Sequence, residues 1–79
     1  MTRIVAIGEC MVEMAPVATE GQFRLGYAGD TLNTAWYLRR LLGASDQIDY
    51  FTAIGTDPVS DKMIDFLQQA DIGTEHILR

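Results

Sequence analysis

The chain opens with an unbroken apolar run, Ile4-Val5-Ala6-Ile7, ended by Gly8. A short, largely β-branched run of this kind predicts a strand buried on both faces of a parallel sheet. The pattern then changes to alternation. Val12 and Met14 flank Glu13, and Phe23, Leu25 and Tyr27 alternate with Arg24 and Gly26. Period two with one polar face predicts half-exposed strands over 11–15 and 22–27, and Pro16 and Gly21 bracket the polar stretch between them as in a hairpin or a pair of flap strands. Leu32, Ala35, Leu38, Leu41 and Leu42 follow at helical spacing, which predicts a helix from Asp30 to Leu42 with Gly43 as its stop. Tyr50-Phe51-Thr52-Ala53-Ile54 reads as a second buried strand closed by Gly55. Asp57-Pro58 opens another helix, aspartate as N-cap and proline in the first turn. Its stripe is Val59, Met63, Phe66, Leu67 and Ala70; Gly73 breaks it, and His76-Ile77-Leu78 starts a further extended segment. Strands alternating with helices define an α/β class with a parallel sheet, and there is no internal repeat.

The 79 residues suffice for one small domain at most. Two or three parallel strands and two helices leave a sheet edge and one face without a partner, so the polypeptide alone is expected to be marginally folded or prone to associate. The net charge of −5 excludes the basic surface that nucleic acid or an anionic membrane would reward. No apolar run approaches the roughly 20 residues that span a bilayer, and Glu9 interrupts the first one before it could serve as a signal-peptide core. The expected location is the cytoplasm. Cys10 and His76 are the only residues of their types. They exclude an internal disulfide and make neither a zinc site nor a nucleophile–histidine–acid set. Cys10 is expected as a small buried hydrophobe and His76 as a surface residue.

The densest candidate chemistry is Gly29-Asp30-Thr31-Leu32-Asn33-Thr34-Ala35, at the predicted start of the first helix. A helix start carries unpaired backbone N–H groups, and a glycine there permits close backbone approach. Asp30 only accepts hydrogen bonds, whereas Asn33 both donates and accepts, a pairing suited to a ligand rich in hydroxyls. The competing reading is that Asp30 merely caps the helix. Ligands of open α/β sheets bind beyond the carboxyl ends of the strands, where Gly8-Glu9, Gly29-Asp30 and Gly55-Thr56-Asp57 are expected to gather. Within that set Glu9 reads as structural or solvated and Asp57 as an N-cap. Gly8 is followed by no second glycine, which excludes a dinucleotide fingerprint, and there is no Gly-x-x-x-x-Gly-Lys-Ser/Thr string for a P-loop.

Read together, Ile7-Gly8-Glu9-Cys10-Met11-Val12-Glu13, the Gly29 to Ala35 segment and Ala53-Ile54-Gly55-Thr56-Asp57 resemble, in order and wording, the N-terminal part of the ribokinase-like (PfkB-type) carbohydrate kinases. The resemblance runs from Ile4 to about Ile77, covers only the first quarter of such an enzyme, and is most similar to the branch acting on 2-keto-3-deoxygluconate. It implies ATP-dependent phosphorylation of a sugar acid in its catabolism, with Mg²⁺ in the complete enzyme. Gly29, Asp30, Thr31, Leu32 and Asn33 would bind the sugar, and strands 11–15 and 22–27 would form a lid. Glu13 stands where many relatives carry a sugar-contacting aspartate, and its extra methylene shifts the carboxylate. The Gly-Ala-Gly-Asp type segment that supplies the family's anion hole and base has no match here, so no catalytic residue, metal ligand or ATP contact is expected in these residues. Lids of this family often meet across a dimer, which implies a possible homo-oligomer. The alternatives are a kinase for fructose or a related ketodeoxy sugar, and a non-catalytic sugar-binding remnant.

Overall fold

A computed structural model describes residues 1–79 as β1 (Arg3–Ile7), β2 (Met11–Pro16), β3 (Phe23–Ala28), α1 (Asp30–Leu41), β4 (Gln47–Phe51) and α2 (Pro58–Gln69). β1 runs parallel to β4, with Arg3 opposite Gln47 and Ile7 opposite Phe51. The segment after α2 pairs parallel with the other edge of β4 through bridges Asp49–Gly73 and Ala53–Leu78. Backbone hydrogen bonds from Gly73 N–H to the Ile48 carbonyl (2.8 Å) and from Leu78 N–H to the Thr52 carbonyl (2.9 Å) hold it there. β4 is therefore the central strand. The extended segment expected from His76 is not formed: Gly73 and Leu78 make isolated bridges, and Glu75 and His76 between them lie in a turn where Ile77 N–H donates to the Thr74 carbonyl at 3.2 Å. β2 and β3 form a separate antiparallel hairpin, Met11 opposite Ala28 and Pro16 opposite Phe23, each strand displaced by about one residue from the alternation pattern.

The core is one cluster: Leu32 and Ala35 of α1, Ile48 and Tyr50 of β4, Met63 and Leu67 of α2, and Ile72, with Ile4 and Ala6 of β1 packed against it. Period two puts Ile4, Ala6, Ile48 and Tyr50 on one face of the sheet. The opposite face carries Val5, Ile7 and Phe51, which are 42 %, 71 % and 42 % exposed. The expectation that β1 is buried on both faces is thus corrected: both helices contribute to the core on one side, and of the β1 and β4 residues on the other only Asp49 is buried.

Several boundaries also move. The second strand starts at Gln47 rather than Tyr50 and ends at Phe51, because the charged residue Asp49 lies fully inside it. Arg3 Nε (3.4 Å) and Gln47 Nε2 (3.1–3.2 Å) donate to the Asp49 carboxylate, satisfying a group that would otherwise be costly to bury. Leu41 falls off the buried stripe of α1 and is 79 % exposed; it stands roughly 120° around the helix from Ala35, the centre of the buried arc. Val59 at the start of α2 is likewise exposed. α2 is stopped by Asp71 rather than Gly73. Asp71 adopts φ 60°, and Asp71 and Ile72 return their N–H groups to the Gln68 and Leu67 carbonyls at 3.0 Å each. This is a Schellman closure with aspartate in the left-handed position, completed by burial of Ile72 beside Leu67.

Candidate functional site

The site is assembled at the carboxyl end of β1. As β1 ends, Gly8 passes against the first turn of α1 so closely that a Cβ there would lie 3.0 Å from the Thr31 Cβ. Gly29 is the N-cap of α1, with φ 125° and ψ 149°, a conformation that side chains resist. A Cβ on Gly29 would sit 3.2 Å from the Glu9 carbonyl oxygen. The close approach made possible by Gly29 is thus to the turn between β1 and β2. Beneath that turn the hydroxyl of the fully buried Tyr50 donates to the Glu9 carbonyl at 3.0 Å. Burial pushes the Tyr50 phenol up to about 12, with the neighbouring Cys10 and Glu9 adding to the effect, so it remains a donor at any physiological pH. Cys10, half-buried in the same turn, has its thiol pushed up to about 11 by burial, which keeps it protonated and unreactive.

No side chain caps α1. Asp30 is its first helical residue, and the first intrahelical bond is Asn33 N–H to the Gly29 carbonyl at 2.9 Å. The amides of residues 30–32 precede that bond and lack intrahelical acceptors. The capping alternative for Asp30 is therefore not what the fold uses. The exposed Asp30 instead lines an open cleft of about 310 Å³ with Ala6, Ile7, Thr31 and Thr34. Its backbone carbonyl accepts from Thr34 Oγ1 at 2.9 Å. Sequence reasoning did not single out Thr34; its position four residues after Asp30, one turn along the same face, was the available signal.

The remaining candidates are distributed around this cleft. Thr31 is half-buried against Gly8. Leu32 is 2 % exposed and belongs to the core, which leaves only its backbone to serve a ligand. Asn33 lines a neighbouring cavity of about 240 Å³ with Tyr27, Leu32, Trp36, Tyr37 and Phe66. Half-buried Trp36 stacks under the Arg40 guanidinium at 3.5 Å, with Tyr37 edge-on to it. Glu13 lies on β2 opposite Gly26, exposed and outside both cavities. The structure therefore groups Asp30 with Thr31, sets Asn33 in the adjoining cavity, and keeps Glu13 on the hairpin. That hairpin is tied to the body by Tyr27, whose ring lies 5.3 Å from Phe66 and whose hydroxyl donates to the Val59 carbonyl at 3.3 Å.

At α2 the expected N-cap is present. Asp57 accepts from Ser60 N–H at 2.9 Å and from Ser60 Oγ at 3.1 Å. The Ser60 amide, more than any other group, holds the Asp57 carboxyl below the usual carboxylate range; partial desolvation opposes this and the Ser60 hydroxyl assists.

A parallel sheet whose first strand leads through a hairpin into a glycine-seated helix start defines an α/β fold. The whole chain, residues 1–79, matches the pfkB family carbohydrate kinases. It is 40 % identical to the 2-dehydro-3-deoxygluconokinase of Haemophilus influenzae over 100 % of this chain and 25 % of that one. It is 37 % identical to the Escherichia coli (strain K12) protein of the same name, over 91 % of this chain and 23 % of that one. Among solved structures, the 2-dehydro-3-deoxygluconokinase of Thermotoga maritima superposes with a TM-score of 0.86 over 100 % of this chain and 25 % of its own, at 21 % identity, a likeness of fold. The chain belongs to the pfkB family of carbohydrate kinases and spans about a quarter of the length of these relatives.

Proposed function

We propose that these residues form the sugar-holding N-terminal portion of an ATP-dependent kinase for 2-keto-3-deoxy-D-gluconate, a sugar acid. The observation that carries this reading is the uncapped start of α1, where open amides and the exposed Asp30 carboxylate face a cleft at the end of β1. The names of the curated relatives support the choice of substrate. An acceptor-only carboxylate binds hydroxyls and repels another carboxylate. Asp30 therefore takes the polyol end of the substrate, the end that carries the terminal hydroxyl to be phosphorylated, while the acid group is held elsewhere. Thr31 and Thr34 add hydroxyl donors and acceptors to the same wall, and Asn33 approaches from the adjoining cavity.

The hairpin β2–β3 is the lid on this reading, with Glu13 contributing from it when it closes. Its Val12, Met14, Phe23 and Leu25 side chains are all exposed and on the face away from Glu13, and they offer an apolar surface for pairing with a second copy. The phosphoryl donor on this reading is ATP with Mg²⁺, held by residues other than these. Phosphoryl transfer relies on positioning and electrostatic stabilisation, and these residues supply the positioning of the acceptor. No helix here is long and apolar enough to cross a membrane.

The test is a phosphorylation assay of the complete kinase carrying these residues, with ATP and a panel containing 2-keto-3-deoxygluconate and fructose. The expected outcome is a preference for the sugar acid in kcat/KM. A preference for fructose would move the assignment to a neutral-sugar kinase, and ligand binding without phosphate transfer would support a non-catalytic sugar-binding protein.

A further inference from the structure

Tyr50 is the fourth of the five residues of the central strand β4 and is fully buried. Its hydroxyl has one partner, the Glu9 carbonyl at 3.0 Å. That carbonyl oxygen is also the atom against which Gly29 is seated, at 3.2 Å from where a Cβ would stand. One residue earlier, Gly8 is packed on Thr31. The turn from Gly8 to Cys10 therefore touches α1 at both sides of Asp30, and the phenol is the side-chain group that holds the turn from below. A ring alone would fill the same space; only the hydroxyl fixes where the Glu9 carbonyl points. We propose that Tyr50 is a positioning residue for the sugar cleft, acting through the Glu9 carbonyl on the start of α1.

This rests on the reading of the Asp30 cleft as the sugar site. Tyr50 touches no substrate. Its effect is to fix the spacing between the β1–β2 turn and the amides and carboxylate at the helix start. Removing the hydroxyl lets the turn relax and widens the range of positions that Asp30 samples, a cost that appears when the sugar is bound.

The experiment is steady-state kinetics on the complete kinase with three variants: Tyr50→Phe, Asp30→Ala and Ile48→Val. Tyr50→Phe keeps the ring and removes only the hydroxyl. Ile48→Val trims a neighbouring core side chain on the same strand and reports what loss of stability alone does. The expected result for Tyr50→Phe is a KM for the sugar raised about fivefold, the equivalent of one net hydrogen bond of about 1 kcal/mol. The KM for ATP and kcat should stay near the parent values, and Ile48→Val should leave the sugar KM in place. If Asp30→Ala raises the sugar KM while Tyr50→Phe leaves it unchanged, or if Ile48→Val raises it as much as Tyr50→Phe does, the positioning role is wrong and the site reading stands. If Asp30→Ala leaves the sugar KM unchanged, the site reading fails and the role given to Tyr50 fails with it.

Discussion

Both helices begin shortly after a glycine and carry an aspartate at the junction, Gly29-Asp30 before α1 and Gly55 with Asp57 before α2. At α2 the aspartate is the N-cap, its two oxygens engaged by Ser60, and Pro58 occupies the first helical position. At α1 the glycine is the N-cap and the aspartate has moved one place into the helix, where its side chain lines an open cleft. A shift of one residue separates a carboxylate used to start a helix from one left free to meet a ligand. The fold replaces the missing cap at α1 by other means: Gly8 and Gly29 seat the helix start on the β1–β2 turn, and Tyr50 holds that turn. One helix start is thus stabilised locally and the other through tertiary contacts.

The sharpest way to break this contrast is Gly29→Ala. It forces a side chain into a backbone held at φ 125° and against the Glu9 carbonyl, and should cost about 1–3 kcal/mol of stability in chemical denaturation while also weakening sugar binding. Asp30→Ala comes next. It should raise the KM for the sugar acid about ten- to a hundredfold, the range of a hydrogen bond to a charged group, with the ATP KM and thermal stability little changed. Asp57→Ala should do the reverse, lowering Tm by a few degrees through loss of the cap while leaving the sugar KM alone. Equal effects of the two aspartate substitutions on Tm would erase the distinction.

The smallest effect is in pH. The Ser60 amide favours the ionised Asp57 in the folded state, so the folded value is depressed below its ordinary 3.8. The stabilisation from this group is then fully present above that ordinary value and is lost as pH falls through the lowered folded one. Stability measured from about pH 6 downward should fall less steeply in Asp57→Asn than in the parent, with the two curves converging only in the acid range.

What could be read in the sequence follows the same division. The start of α2 was legible in full, because Asp57, Pro58 and Ser60 act on one another within a single turn. The limits of α1 and the two flap strands were legible to within a residue or so for the same reason, and the family resemblance carried by Gly8, Gly29 to Ala35 and Gly55 was confirmed by the match over the whole chain. The start of β4 was not, since Asp49 reads as a loop residue until Arg3 and Gln47, one of them from another strand, are seen to satisfy it. The unpartnered face of the sheet followed from the count of strands and helices, but an apolar run does not say which of its faces finds a partner, so β1 itself was expected to be buried on both. Of the candidate residues, Gly29 and Asp30 stand where the pattern put them, at the start of α1. The contact that explains Gly29 comes from Glu9, twenty residues away, and the role of Tyr50 rests on a hydrogen bond across 41 residues that no local pattern announces.

The most direct measurement is the melting temperature of the complete kinase with and without 2-keto-3-deoxygluconate, for the parent and for Asp30→Ala. A ligand that binds only the folded protein raises Tm, by an amount that grows with the logarithm of its concentration relative to Kd. Asp30→Ala should melt with the parent when no sugar is present and lose most of the sugar-induced rise. A variant that melts well below the parent without sugar, yet keeps the full rise when sugar is added, would show that Asp30 serves the helix and that the ligand is held somewhere else.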